Sequence, residues 1–113
     1  MIEMTEEPRG TVILLRLGGR LDSLTSPQLE TKLLALVEGG TRQLVLDLMN
    51  LDYISSAGLR VLLMVAKKLK AANGQVALAA MKSHIREIFD IAGFSTIFPI
   101  HDQIDAAIQS FNG

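Results

Sequence analysis

Three short aliphatic runs, Thr11–Leu17 (TVILLRL), Gln43–Leu48 (QLVLDL) and Gln75–Ala80 (QVALAA), alternate with segments whose apolar residues recur at helical spacing. The first run is β-branched and bounded by Gly10 and Gly18-Gly19. The other two are apolar enough to be strands covered on both faces. Short connections between alternating strand and helix patterns favour right-handed βαβ units, and so a largely parallel sheet with helices laid on it. A length of 113 residues is what one hydrophobic core organises, so residues 1–113 are expected to form a single domain of small α/β type.

Each helix carries its own signals. Ser26 is expected to cap a helix that opens at Pro27, buries Leu29, Leu33, Leu36 and Val37, and stops at Gly39-Gly40. A turn at Asn50-Leu51-Asp52 should lead through Tyr53-Ile54 to a helix ending at Lys70, with Asn73-Gly74 as its stop. Leu59, Leu62, Leu63, Ala66 and Leu69 make its predicted inner face, widened by Val61, Met64 and Val65. Ser83 is expected to cap a short helix with Ile85, Ile88, Phe89 and Ala92 inward, closed by Gly93. Thr96–Ile100 reads as a short edge strand, because Pro99 cannot donate to a ladder. Asp102 is the expected cap of a last helix striped by Ile104, Ala107, Ile108 and Phe111.

Composition removes several function classes. Eleven Lys+Arg against twelve Asp+Glu leave a net charge of −1, so bulk charge attracts neither nucleic acid nor an anionic membrane. The absence of Trp and an aromatic share of 4% offer no base-stacking platform. Without cysteine there is no thiolate metal site and no cysteine nucleophile. His84 and His101 stand alone, with no ligand spacing around them, so no metal is expected. Glu3, Glu6 and Glu7 occupy the place of a secretory leader's basic start, and the apolar windows Val12–Leu17 and Ala57–Ala66 fall short of a membrane span. A cytoplasmic protein that does not insert into membranes is expected. Neither G-x-S-x-G nor a phosphate-binding glycine loop occurs, and no acid, base and nucleophile converge, so no catalytic residue, enzyme activity or cofactor is expected. Asp47, late in its strand, invites comparison with a two-component receiver. That site needs an acidic pair and a later Lys, but Asp22 stands alone and Thr96–Ile100 has no Lys. Lys67, Lys68, Lys70 and Lys82 with Arg86 read as a solvated helix end and loop, and Met64 as core filling.

Chemistry concentrates in Leu44–Leu63 (LVLDLMNLDYISSAGLRVLL), where a buried strand ends and Ser55 and Ser56 arrive at a helix start. The first N–H groups of a helix lack intrahelical partners and carry partial positive charge, so they accept anions, phosphate included. Gly58 in the first turn removes a side chain and is expected to let another backbone approach closely. Two readings of this stretch stand: a regulated phosphorylation site at Ser55 or Ser56, and a plain serine cap. Asp22 likewise reads either as part of a partner-facing surface or as an Asx-type turn residue before Ser23 and Thr25.

The run Asp47-Leu48 … Leu51 … Tyr53-Ile54-Ser55-Ser56-Ala57-Gly58-Leu59 resembles the signature of the STAS domain of bacterial anti-sigma factor antagonists. Leu17-Gly18-Gly19-Arg20-Leu21-Asp22 resembles the family's G-x-L-D turn, and Ile85–Phe94 (IREIFDIAGF) its later helix and turn. The resemblance implies a sheet of four or five strands of mixed, mainly parallel direction, with about four helices packed mainly on one side. It implies an antagonist that binds an anti-sigma factor that is also a serine kinase, loses it on phosphorylation of one serine, and is reset by a PP2C-type phosphatase. Carried onto this chain, the acceptor is Ser56, with Ser55 the less favoured site. The implied partner-binding residues are Asp22, Ser55, Ser56, Ala57, Gly58 and Arg60. Ser55 stands where the family usually has Asp, and Ala57 where Ser or Thr is frequent, so a carboxylate is missing and a second hydroxyl competes. Similar domains also serve as non-enzymatic subunits of ABC-type lipid transporters that dock an ATPase. That is the alternative function. The free protein is expected to be a monomer.

Overall fold

A computed structural model describes residues 2–111. Five strands, β1 (Ile2–Arg9), β2 (Val12–Leu21), β3 (Gln43–Ile54), β4 (Gln75–Ala79) and β5 (Ile100–His101), form one sheet in chain order. β1 pairs antiparallel with β2, and every later neighbour is parallel. The helices are α1 (Ser26–Glu38), α2 (Ser56–Ala71), α3 (Ser83–Ile91) and α4 (Ile104–Ser110). Together these make the mixed-sheet α/β fold expected of the resemblance.

Strand order explains where the helices lie. Parallel crossovers are right-handed, and when each one steps to the next position the same way, all of them land on one face. Accordingly α1, α2 and α3 pack on one side of the sheet, over Leu15, Leu17, Leu44, Leu46, Leu48 and Leu78. α4 follows the last strand and is free of that rule. It covers the opposite face, where Ala107 meets Val12, Leu14, Val45, Ala77 and Ala79. Neighbouring residues of one strand, such as Leu14 and Leu15, are both buried because both faces are covered there.

Several sequence expectations are corrected. The N-terminal segment is a strand, β1, joined to β2 by a tight turn at Gly10 (φ 63°). Its glutamates and Pro8 suit an edge strand, where one side of the backbone needs no partner. β2 and β3 do not stop at Gly18 and Leu48. They run on to Leu21 and Ile54 through two register shifts: Gly18 and Gly19 pair with Asn50 and Leu51 inside the strands, and the extra residues fall on β3, at Leu48-Met49 and at Asp52. Leu21, Leu51 and Ile54 are buried and hold these extensions to the core. Thr96–Ile100 is not a strand throughout. A 3₁₀ turn covers Phe94–Thr96, and only Ile100–His101 pairs, while the Pro99 carbonyl accepts from Leu78 N at 2.9 Å.

Caps are displaced in the same manner. α1 starts at Ser26 itself, α3 has Lys82 at its cap position, and α4 has Gln103; none of the three makes a side-chain cap bond. The buried face of α2 is Gly58, Val61, Leu62, Val65 and Leu69, with Leu59, Leu63, Met64 and Ala66 only half-buried. The helix is therefore turned from its expected orientation, because Gly58 permits the closest approach to the sheet. Ala92 is exposed.

Candidate functional site

The site forms where β2 and β3 end side by side. Their register sets Leu21 against Ile54, and Ser55 N donates to Leu21 O at 2.8 Å, which fixes the entry to α2 beside the exit from β2. Ser55 is extended (φ −96°, ψ 174°), as an N-cap requires, and its Oγ accepts from Gly58 N at 3.3 Å. Ser56 is the first helical residue and is exposed, and its hydroxyl has no hydrogen-bond partner among the described residues.

Gly58 is a steric requirement. A Cβ there would lie 2.7 Å from Leu21 Cγ and 2.9 Å from Ile54 Cγ1, and both of those side chains are buried. The first turn of α2 thus rests directly on the ends of β2 and β3. Ala57 and Arg60 face an open groove of about 660 Å³ between α1 and α2, together with Ser23, Pro27 and Met64.

Asp22 closes the other side. Its Oδ1 accepts from the backbone N–H of Leu24 and of Thr25, each at 3.0 Å, and lies 3.2 Å from Thr25 Oγ1. Its carbonyl accepts from Ser26 N at 2.8 Å and Ser26 Oγ at 2.5 Å. Thr25 Oγ1 accepts from Asp22 N at 2.9 Å and donates to Arg20 O at 2.8 Å. The Thr25 amide bond, aided by those of Leu24 and the Thr25 hydroxyl, holds the Asp22 carboxyl below its usual pKa despite some desolvation. Asp22 therefore forms the turn, and that turn brings it within one residue of the Leu21–Ser55 contact.

The predicted site residues Asp22, Ser55, Ser56, Ala57, Gly58 and Arg60 thus gather around one helix start. Sequence reasoning missed the rim beside them. Leu24 is 83% exposed, and the Arg20 guanidinium stacks 4.3 Å over the exposed Tyr53 ring. Only the bulged register, which pairs Arg20 with Tyr53, could have found that contact. Farther along, Lys82 pairs with Asp52, and His84 Nε2 lies 2.7 Å from Asp52 O. The Lys82 ammonium holds the Asp52 carboxyl below its usual range. Asp47 belongs to the other face: it is 4% exposed, accepts from Met49 N at 2.9 Å and faces Arg16 Nε at 3.4 Å.

The site is thus an exposed hydroxyl at a capped helix start of an α/β module, flanked by an open groove and an apolar rim. This chain belongs to the STAS domain family, whose family model matches residues 3–107. It is 44% identical over 110 residues to a Bordetella bronchiseptica protein provisionally named anti-sigma factor antagonist BtrV, covering 97% of this chain and 95% of that one. It is 27% identical over 88 residues to the anti-sigma-B factor antagonist of Staphylococcus aureus, covering 78% and 82%. The crystal structure of an anti-sigma factor antagonist from Mycobacterium paratuberculosis matches with a TM-score of 0.93 at 25% identity, covering 100% of this chain and 96% of that one. No helix among the described residues is long and apolar enough to cross a membrane.

Proposed function

We propose that this chain is an anti-sigma factor antagonist that binds a serine-kinase anti-sigma factor around the start of α2 and is released when Ser56 is phosphorylated. The names of its relatives support the antagonist role. The observation that carries the switch is the division of labour between the two serines. The Ser55 hydroxyl is occupied by the Gly58 amide, whereas Ser56 is exposed and uncommitted. A kinase can reach Ser56 without undoing the cap.

Magnitudes decide what the phosphate does. It adds about −1.5 to −2 charge and three acceptor oxygens. The N-terminus of α2 favours that charge by roughly 0.3–1 kcal/mol, so the free domain stays folded. Burying it uncompensated across a close interface costs several kcal/mol, at about tenfold in affinity per 1.4 kcal/mol. The interface loss wins. A PP2C-type phosphatase would restore binding. Asp22, Ala57 and Arg60 supply the surrounding contact surface; Gly58, expected among the contact residues, is buried against the sheet and instead seats the helix start beneath them. The chain itself acts as substrate and ligand.

The test is capture from native-host lysate by wild type, Ser55→Ala and Ser56→Asp, followed by phosphosite mapping after incubation of the captured complex with ATP. A kinase-type anti-sigma factor should be held by wild type and Ser55→Ala, lost by Ser56→Asp, and able to phosphorylate Ser56. Equal capture of a transporter ATPase by all three would overturn the switch.

A further inference from the structure

We propose that a second groove, between α2 and the segment preceding β5, docks an acidic amphipathic segment of the same protein partner; the sharing of one partner rests on the function proposed above. This groove has a volume of about 630 Å³. Its walls include Leu63, Ala66, Ile97 and Pro99, with Lys67 and Lys70 on the α2 side and no acidic side chain. Ile97 is half exposed, so the surface is apolar in its floor and cationic at its edge.

Charge sets the chemistry of the occupant. Among the described residues the cations in ion pairs are Arg9, Arg16, Lys32, Lys82 and Arg86, each beside a carboxylate. None of them is on α2. That helix carries Arg60, Lys67, Lys68 and Lys70 and no Asp or Glu. A chain of nearly balanced charge thus leaves the cations of one helix without an ion pair among the described residues. Two of them, Lys67 and Lys70, line this groove next to its apolar surface, while Arg60 and Lys68 line the groove between α1 and α2. A segment with an apolar stripe and flanking carboxylates complements both features, whereas a basic or wholly polar one complements neither.

Reach is sufficient. Ser56 and Lys70 lie about 21 Å apart along the helix axis at 1.5 Å per residue. A standard interface of about 800 Å² per partner spans roughly 30 Å, so a protein that covers Ser56 toward one edge of its footprint extends to this groove. The groove shares Leu63 and Lys67 with the one beside Arg60, but Lys70, Ile97 and Pro99 are its own and Ser56 lines neither, so contact here is expected to persist when Ser56 is modified.

The probe is a fluorescein-labelled 16-residue helix of Leu at i, i+3, i+4 and i+7 positions with Glu elsewhere, titrated against the full chain. Binding should weaken at least about fivefold in Lys67→Glu/Lys70→Glu and in Ile97→Asp, fall with added salt, and stay unchanged in Ser56→Asp. Amide shifts should map to residues 63–70 and 96–98, and thermal melts confirm that the variants fold. Equal binding of the same peptide with Lys for Glu, shifts confined elsewhere, preferential binding to phosphatidylglycerol vesicles, or self-association through this face would each overturn the proposal. Failure here leaves the Ser56 capture experiment intact. Conversely, capture that is insensitive to Ser56→Asp but lost in Lys70→Glu and in Ile97→Asp, residues that line this groove and not the one beside Arg60, would sink the switch and keep the groove.

Discussion

Two helices begin within a few ångströms of one β-strand end, both on hydroxyl-bearing residues, and they are built in opposite ways. At α1, Thr25 and Ser26 are buried and every polar atom described is committed, to Asp22 or to Arg20 O. At α2, one hydroxyl makes a single cap bond and the next makes none. Burial explains the contrast. A hydroxyl removed from water must be satisfied within the protein, whereas one at the surface can wait for a partner. The first start therefore holds the loop in shape, and the second leaves a hydroxyl open to solvent.

The largest expected break comes from Gly58→Ala, which forces a methyl between Leu21 and Ile54. We expect a loss of about 2–3 kcal/mol in urea unfolding, with the α2 start displaced. Thr25→Val keeps the shape of the α1 start but strands the Asp22 amide and the Arg20 carbonyl. It should cost about 1–2 kcal/mol by the same measurement. Acid should separate the two starts without mutation. The folded Asp22 carboxyl titrates below the ordinary value of 3.8, so its contribution is fully present above that value. It is lost as pH falls through the depressed folded value. Amide exchange at Leu24 and Thr25 should accelerate in that range, while the Gly58 amide, capped by an uncharged serine, should not follow. Ser55→Ala should cost about 0.5–1 kcal/mol, and Ser56→Ala less than about 0.5, since nothing in the fold uses its hydroxyl.

What the sequence disclosed follows the same division. Gln43–Leu48, Gln75–Ala80 and the start of α2 were legible because apolar period, length and small residues at the boundary all agree. β1 was hidden because Glu6, Glu7 and Pro8 are poor strand formers that β2 recruits by pairing. The extensions of β2 and β3 were hidden because a glycine pair inside β2 and the bulged Asn50-Leu51-Asp52 stretch of β3 both look like turns until the two strands are known to pair. Ser26, Ser83 and Asp102 misled as caps, each lying within one or two residues of the true helix start. Of the candidate site, Ser55, Ser56 and Gly58 are local in sequence and so were readable. The closeness of Asp22 to Ser55 depends on a strand pairing across more than thirty positions, and only the family resemblance anticipated it.

The fit of Gly58 against Leu21 and Ile54 also limits how this surface can change over generations. The three positions share one fixed volume, so a side chain gained at 58 has to be matched by methylenes lost at 21 or 54. Either change alone passes through a weakened protein, the first by overpacking and the second by a cavity. From this sequence there is thus no downhill single step away from glycine at 58, while Ser56, two positions away and free of that constraint, can be exchanged at almost no structural cost.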